Sequence, residues 1–133
     1  MRYTYPSGSY FEGDIENEKF NGKGVFCFAN EDTYTGNFSN DMFNGFGKYV
    51  YKSGDSYEGY FLNDNYHGIG TYFYKDGSVE KGKFYHGQRE GNFYQNQNNI
   101  FYKIHYVNDT AINYVEIDSI EVPPDRNPVQ TMF

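Results

Sequence analysis

The stretch GDSYEGYFLNDNYHGIGTYFYKDG, residues 54–77, sets five glycines among seven aromatic residues at spacings that suit neither a helix nor a loop. The same pattern recurs on both sides at a constant offset of 23 residues, without a gap. One unit reads FEGDIENEKFNGKGVFCFANEDT from Phe11, the next YTGNFSNDMFNGFGKYVYKSGDS from Tyr34, and a third YEGYFLNDNYHGIGTYFYKDGSV from Tyr57. A fourth begins EKGKFYHGQREGNFYQ at Glu80 and then decays. Tyr3 and Tyr5 match Phe26 and Phe28, so the chain starts on half a unit.

Within each unit a glycine stands two residues in, at Gly13, Gly36, Gly59 and Gly82, and a bulky apolar residue follows at Ile15, Phe38, Phe61 and Phe84. A Gly-x-Gly comes next: Gly22 and Gly24, Gly45 and Gly47, Gly68 and Gly70. In the fourth unit Gly91 survives and Phe93 replaces the second glycine. Alternation of period two, broken by Asn, Asp and Gly at two points per unit, reads as two short antiparallel strands joined by a hairpin. Alternation then places Tyr34, Gly36, Phe38, Gly45, Gly47, Tyr49 and Tyr51 on one face.

Glycine inside a strand costs backbone entropy and packs nothing, so its fixed recurrence must leave room for something. The candidates are the rings that stack at the 23-residue offset: Phe20, Phe43, Tyr66; Phe26, Tyr49, Tyr72; Phe28, Tyr51, Tyr74. For Gly47 the expected neighbours are Tyr49 and Phe38. The other face, with Glu12, Asp14 and Glu16, then Thr35, Asn37 and Ser39, then Glu58, Tyr60 and Leu62, reads as mostly solvated. The expected object is an all-β, single-layer, curved hairpin solenoid. Its parts are a half unit over 1–10, units over 11–33, 34–56 and 57–79, and a degenerate unit over 80–99. Capping strands are expected over 100–119, at Ile100 to Val107 and Ile112 to Ile117, and a proline-containing extended tail over 120–133.

Composition narrows the function. Eighteen acidic against eleven basic residues give a formal charge of -7, and no basic stripe supplies the phosphate contacts that dominate nucleic-acid affinity. One cysteine, Cys27, cannot close an intrachain disulfide, which favours an intracellular, cytoplasmic setting. No apolar run is long enough to span a bilayer, and the N-terminal residues lack the apolar centre of a signal peptide. His67 falls at the position of Asn21 and Asn44, and His86 at that of Asn17, Asn40 and Asn63, so the repeat accounts for both as hairpin residues. With one cysteine and three separated histidines no zinc ligand set is complete, and neither a metal nor another cofactor is expected. The Gly-x-Gly pairs open no helix and carry no Lys-Ser/Thr, so they read as strand glycines rather than a phosphate loop. Glu12, Asp14, Asp55 and Glu58 occupy solvated positions with no pocket to tune them for acid-base work.

The pattern Tyr-x-Gly-x-aromatic, a turn, then Gly-x-Gly resembles the MORN repeat (membrane occupation and recognition nexus) over about residues 1–99. The resemblance implies an elongated, non-catalytic hairpin array serving as a protein-interaction scaffold in cytoskeletal or ciliary assemblies, or as a phospholipid-binding module. The Gly-Lys pair of that family is here Glu18-Lys19, Asp41-Met42, Asp64-Asn65 and Gly87-Gln88. Acids at these tips disfavour an anionic membrane surface, which needs clustered Lys or Arg. The preferred reading is a protein partner held on the aromatic face, with a peripheral membrane adaptor as the alternative and self-association through sheet edges open. If partners use that face, central rings carry most of the energy. The partner-binding candidates are therefore Phe43, Tyr49, Tyr51, Tyr66, Tyr72 and Tyr74, with Tyr51 and Tyr74 the least covered; the same rings can instead be core.

Overall fold

A computed structural model describes residues 2–119. It is a single antiparallel sheet in which every strand pairs with its sequence neighbours. The strands are β1 (Arg2–Thr4), β2 (Tyr10–Glu16), β3 (Lys19–Cys27), β4 (Thr33–Ser39), β5 (Met42–Val50), β6 (Ser56–Leu62), β7 (Asn65–Phe73), β8 (Val79–Tyr85), β9 (Gln88–Gln97), β10 (Ile100–Val107) and β11 (Thr110–Ile117). The expected tail over 120–133 lies outside the described residues.

Two kinds of turn punctuate the meander. At one end two-residue loops join β2 to β3, β4 to β5 and β6 to β7, with both residues left-handed: Asn17 and Glu18, Asn40 and Asp41, Asn63 and Asp64. That double positive φ matches the natural twist of a hairpin, and asparagine tolerates it better than most residues. At the other end longer loops close with paired backbone bonds, as where Tyr51 N donates to Asp55 O at 2.9 Å and Gly54 N to Tyr51 O at 3.0 Å. The left-handed residue of these loops is Gly8, Gly54 or Gly77, but Glu31 takes the same place with φ 77°.

Strict alternation fails at one point in each unit. Gly36 pairs with Gly47 and Phe38 with Phe43, so Asn37 faces three residues, Asn44 to Phe46. Gly45, left-handed at φ 98°, absorbs the extra length, and a Cβ on it would meet the Asn37 side chain at 3.2 Å. Gly22 faces Asp14 and Gly68 faces Tyr60 in the same way. These glycines, expected on the aromatic face, therefore sit in bulges turned to the other side.

The second glycine of each Gly-x-Gly does lie under a ring, and that ring is the first residue of the unit. A Cβ on Gly24 would come within 2.7 Å of Phe11 Cζ, one on Gly47 within 2.5 Å of Tyr34 Cζ, and one on Gly70 within 2.5 Å of Tyr57 Cζ. The atoms nearest Gly47 belong to Tyr34 and not to the expected neighbours Tyr49 and Phe38. Gly36 and Gly59 have a different reason to be glycine: a Cβ there would lie 2.5 and 2.6 Å from the facing glycine Cα.

Phe11, Tyr34 and Tyr57 are fully buried. Each stacks on the ring nine residues later, Phe20 at 3.7 Å, Phe43 at 3.8 Å and Tyr66 at 3.8 Å. Between stacked pairs stands one perpendicular ring: Phe38 lies 5.0 Å from Phe11 and 5.1 Å from Tyr34, and Phe61 lies 5.0 Å from Tyr34 and 5.1 Å from Tyr57. The alternation of stacked and edge-on rings is the geometry that aromatic quadrupoles favour. This ladder is the core, so a single sheet is stable without a second layer to cover it. Tyr34 and Tyr57 also donate their hydroxyls to the carbonyls of Asn37 and Tyr60, at 2.7 and 2.8 Å, which pairs carbonyls at the bulges.

In the fourth unit the first residue is Glu80, fully buried where the other units have a ring. Nine residues on, Arg89 replaces the stacking partner, and its Nε donates to Glu80 Oε1 at 2.8 Å. Tyr106 and Gln95 donate to Glu80 Oε2 at 2.9 and 3.2 Å, and Tyr74 donates to Oε1 at 3.2 Å. Burial works against the charge of Arg89, but the adjoining Glu80 carboxylate outweighs it and raises the guanidinium pKa. The volume the missing ring leaves is filled by Phe93, which stands at the glycine position and packs its ring over Gly82. Ring to carboxylate and glycine to phenylalanine are thus one compensated exchange.

Candidate functional site

A second row of rings runs beside the buried ladder. Strands β3, β5 and β7 supply Phe26, Tyr49 and Tyr72, and the loops that follow them supply Phe28, Tyr51 and Tyr74. Centroids along it are 4.6 Å apart for Phe26–Phe28, 5.8 Å for Phe28–Tyr49, 4.7 Å for Tyr49–Tyr51, 6.3 Å for Tyr51–Tyr72 and 4.8 Å for Tyr72–Tyr74. All six are half-buried, and at the far end of the row Arg89 lies over the Tyr72 ring and bonds the Tyr74 hydroxyl.

The row borders an open depression of about 570 Å³ that runs over the first three units to the β8–β9 turn at Gly87. Phe43, Tyr49, Tyr51 and Tyr66, four of the six rings expected to bind a partner, line it together. Tyr72 and Tyr74 do not. Tyr74 is drawn toward Glu80 instead, and burial with that carboxylate pushes its pKa up to about 12. Phe43 and Tyr66 also belong to the stacked ladder, so they serve the core as well as the depression. Tyr51, expected to be little covered, is half-buried and hydrogen-bonds the Tyr66 hydroxyl across the depression.

The lining also includes Phe26 and Phe28, placed by the sequence among the stacked rings but not among the partner-binding candidates, and two acids that sequence reasoning did not single out, Asp41 and Asp64. The acids were read only as departures from a Gly-Lys turn. In the structure each ties its hairpin to the previous one. Asp41 Oδ1 accepts the Phe20 N–H at 2.7 Å while the Asp41 N–H donates to Phe20 O at 3.0 Å; Asp64 does the same with Phe43 at 2.8 and 3.0 Å. Asp109 repeats the clamp on Arg89, its Oδ1 accepting the backbone N–H at 3.1 Å. At the other end of the strands Asp32 accepts the Tyr49 hydroxyl at 2.8 Å and the Lys52 N–H at 2.8 Å, and Asp55 accepts those of Tyr72 and Lys75 at 3.0 and 2.8 Å. The bond from the Lys52 amide, foremost, holds the Asp32 carboxyl below the usual range. Burial, reinforced by those carboxylates, raises the pKa of Tyr49 and Tyr72.

The remaining candidates are structural in their placement. His86 occupies the first left-handed position of its turn, and its N–H donates to His67 Nδ1 at 3.2 Å. No group of three His, Cys, Asp or Glu side chains among the described residues is placed to hold a metal ion. The depression thus offers ring faces and carboxylates, a surface suited to binding.

The sequence pattern of the MORN repeat matches residues 11–33, 34–56 and 57–79, the three units that build the ring ladder. No curated protein matches the chain closely enough to count as a relative. Three consecutive matches over half the chain, each coinciding with one hairpin of the sheet, make this chain a member of the MORN repeat family, a non-catalytic type of repeat that generally mediates protein or membrane contacts.

Proposed function

We propose that the protein is a non-enzymatic interaction scaffold that grips a segment of another protein along its second row of rings. The observation that carries this reading is the division of labour between the two rows. Phe11, Tyr34, Tyr57 and the perpendicular rings between them already form a closed core. Phe28, Tyr49 and Tyr51 are then left half-exposed around an open depression, where contiguous uncovered apolar surface marks an interaction site. By analogy with its family the scaffold is assigned to a cytoskeletal or ciliary assembly in the cytoplasm, an associational argument. The acidic hairpin tips favour a protein over an anionic membrane.

A photocrosslinking residue placed at Tyr51, compared with one at Tyr85 on the opposite face, tests the assignment in extract of the source cells. Crosslinks to protein from Tyr51 and not from Tyr85, recovered in the cytoskeletal fraction, are expected. Retention of the protein on phosphoinositide vesicles at physiological salt, with no Tyr51 crosslink to protein, would overturn it in favour of a membrane adaptor.

A further inference from the structure

The chemistry of the depression specifies more than an apolar occupant. Its wall carries Asp41 and Asp64, both exposed, and no Lys or Arg is among the residues that line it. Each of these carboxylates commits its Oδ1 to a backbone amide. The rings of Phe28, Phe43, Tyr49 and Tyr51, whose faces are electronegative, line the same depression. The chain as a whole has a formal charge of -7. Ring faces flanked by carboxylates attract a cation carried on an apolar stem, as in Lys and Arg.

The molecule contains its own example of such an occupant. Arg89 occupies the slot of a ladder ring, with its guanidinium carbon 5.8 Å from the Tyr72 centroid, 5.7 Å from that of Phe84 and 5.6 Å from that of Tyr106. It is paired at once with the Glu80 and Asp109 carboxylates. Asp109 stands at its turn as Asp41 and Asp64 stand at theirs, clamping the backbone of the preceding hairpin. Where the array ends, an internal arginine is accommodated by ring faces and a hairpin-tip acid; where the depression is open, the same two kinds of group face solvent.

We propose that the depression takes a cationic, amphipathic segment of a partner protein, with Lys or Arg recurring about every 10 Å. This rests on the reading of the ring row as a protein-binding face. The spacing follows from the repeat: equivalent acids on successive hairpins are two strands apart, about 9.6 Å. That corresponds to residues i and i+7 of a helix, about 10.5 Å, or to i and i+3 of an extended chain, about 10 Å.

The test uses the full chain and two fluorescein-labelled helical peptides built from leucine and lysine heptads, one as written and one with every lysine replaced by glutamate. Fluorescence anisotropy at physiological salt reads their affinities. The lysine peptide is expected to bind at least tenfold more tightly than the glutamate peptide. Asp41→Asn with Asp64→Asn keeps the amide-accepting oxygens and removes two charges. This pair should weaken the lysine peptide about fivefold, as expected for two solvent-exposed ion pairs. Tyr51→Ala, which leaves the charge unchanged, should weaken it by a comparable factor, with Phe28→Ala as the alternative if Tyr51→Ala lowers the melting temperature.

Equal binding of the two peptides, binding of neither, or wild-type affinity in the asparagine pair would overturn the proposal. So would full affinity in both ring variants, since that result means diffuse attraction to an acidic protein. A Tyr51 crosslink to an acidic or neutral partner segment removes the cationic occupant and leaves the scaffold reading standing, whereas loss of all Tyr51 crosslinks removes both.

Discussion

Gly47→Ala adds one methyl group at a tightly confined point of the ladder. The new Cβ would lie 2.5 Å from Tyr34 Cε1 and 2.5 Å from Cζ, about 1 Å inside ordinary contact. A flexible side chain would swing away, but Tyr34 cannot. Phe43 stacks at 3.8 Å on it, Phe38 and Phe61 stand edge-on at 5.1 and 5.0 Å, and its hydroxyl is held by Asn37 O. Overpacking of a rigid core costs about 1–3 kcal/mol, and with three rings behind the displaced one the upper half applies. At roughly 3–5 °C per kcal/mol for a chain of this size the melting temperature falls by about 6–15 °C. Urea unfolding of four proteins, wild type, Gly47→Ala, Tyr34→Val and the double variant, isolates the contact. With the ring gone the alanine should cost less than about 0.5 kcal/mol. Gly36→Ala is the contrast: its Cβ meets Gly47 Cα at 2.5 Å and Phe46 O at 2.6 Å, both backbone, so removing Tyr34 should leave most of its cost in place. Additive costs for Gly47→Ala and Tyr34→Val would refute the claim that this glycine exists to admit this ring.

Other consequences follow from the same contacts. Arg89→Met leaves Glu80 buried without its cation and should cost about 3 kcal/mol in urea unfolding; Glu80→Tyr, Arg89→Tyr and Phe93→Gly combined restore the third unit's ring pair and should recover at least half of that. Burial raises the pKa of Tyr34, Tyr57, Tyr66, Tyr72 and Tyr106 above the usual tyrosine value, so the folded state holds their protons more tightly. Their contribution is therefore complete below about pH 10 and declines as the pH rises further, so the share of tyrosinate absorbance that these buried rings contribute should appear together with loss of the β circular dichroism in an alkaline titration. Glu31→Gly places glycine where the equivalent loops have Gly54 and Gly77 and should raise stability by about 1 kcal/mol, because the Glu31–Lys52 pair it removes is solvent-exposed and weak.

The 23-residue period and the hairpin turns were legible because both depend on local chemistry: Asn40-Asp41 and Asn63-Asp64 show their left-handed turns in the sequence itself. Where alternation misled was the bulge. Counting by twos carries Gly45 onto the face of Gly47, and only the three-residue arc opposite Asn37 turns it away. The candidate rings were half legible for a related reason. Parity assigns Tyr34, Phe43 and Tyr49 to one face, yet which of them sinks over the glycines depends on side-chain direction within that face. Asp41 and Asp64 were visible only as departures from a turn pattern, since the amides they bind lie on the preceding hairpin, 21 residues away.

The exchange in the fourth unit also limits the extent of the open depression. Tyr51 points its hydroxyl to Tyr66, within the ladder and across the depression. One repeat on, the position of Tyr66 is Arg89, and Tyr74 turns to the Glu80–Arg89 pair instead. The row of rings continues to Tyr74, but the depression closes before it because a charge pair, with Tyr106 and Gln95 from the neighbouring strands, now occupies the space. A ladder made of identical units has no intrinsic end, and a bound segment could slide along it by whole repeats. Replacing one ring pair by a buried ion pair, and one glycine by Phe93, keeps the sheet packed while breaking that translational symmetry. The same substitutions that hold β8 and β9 to the rest of the sheet therefore define where the open depression stops.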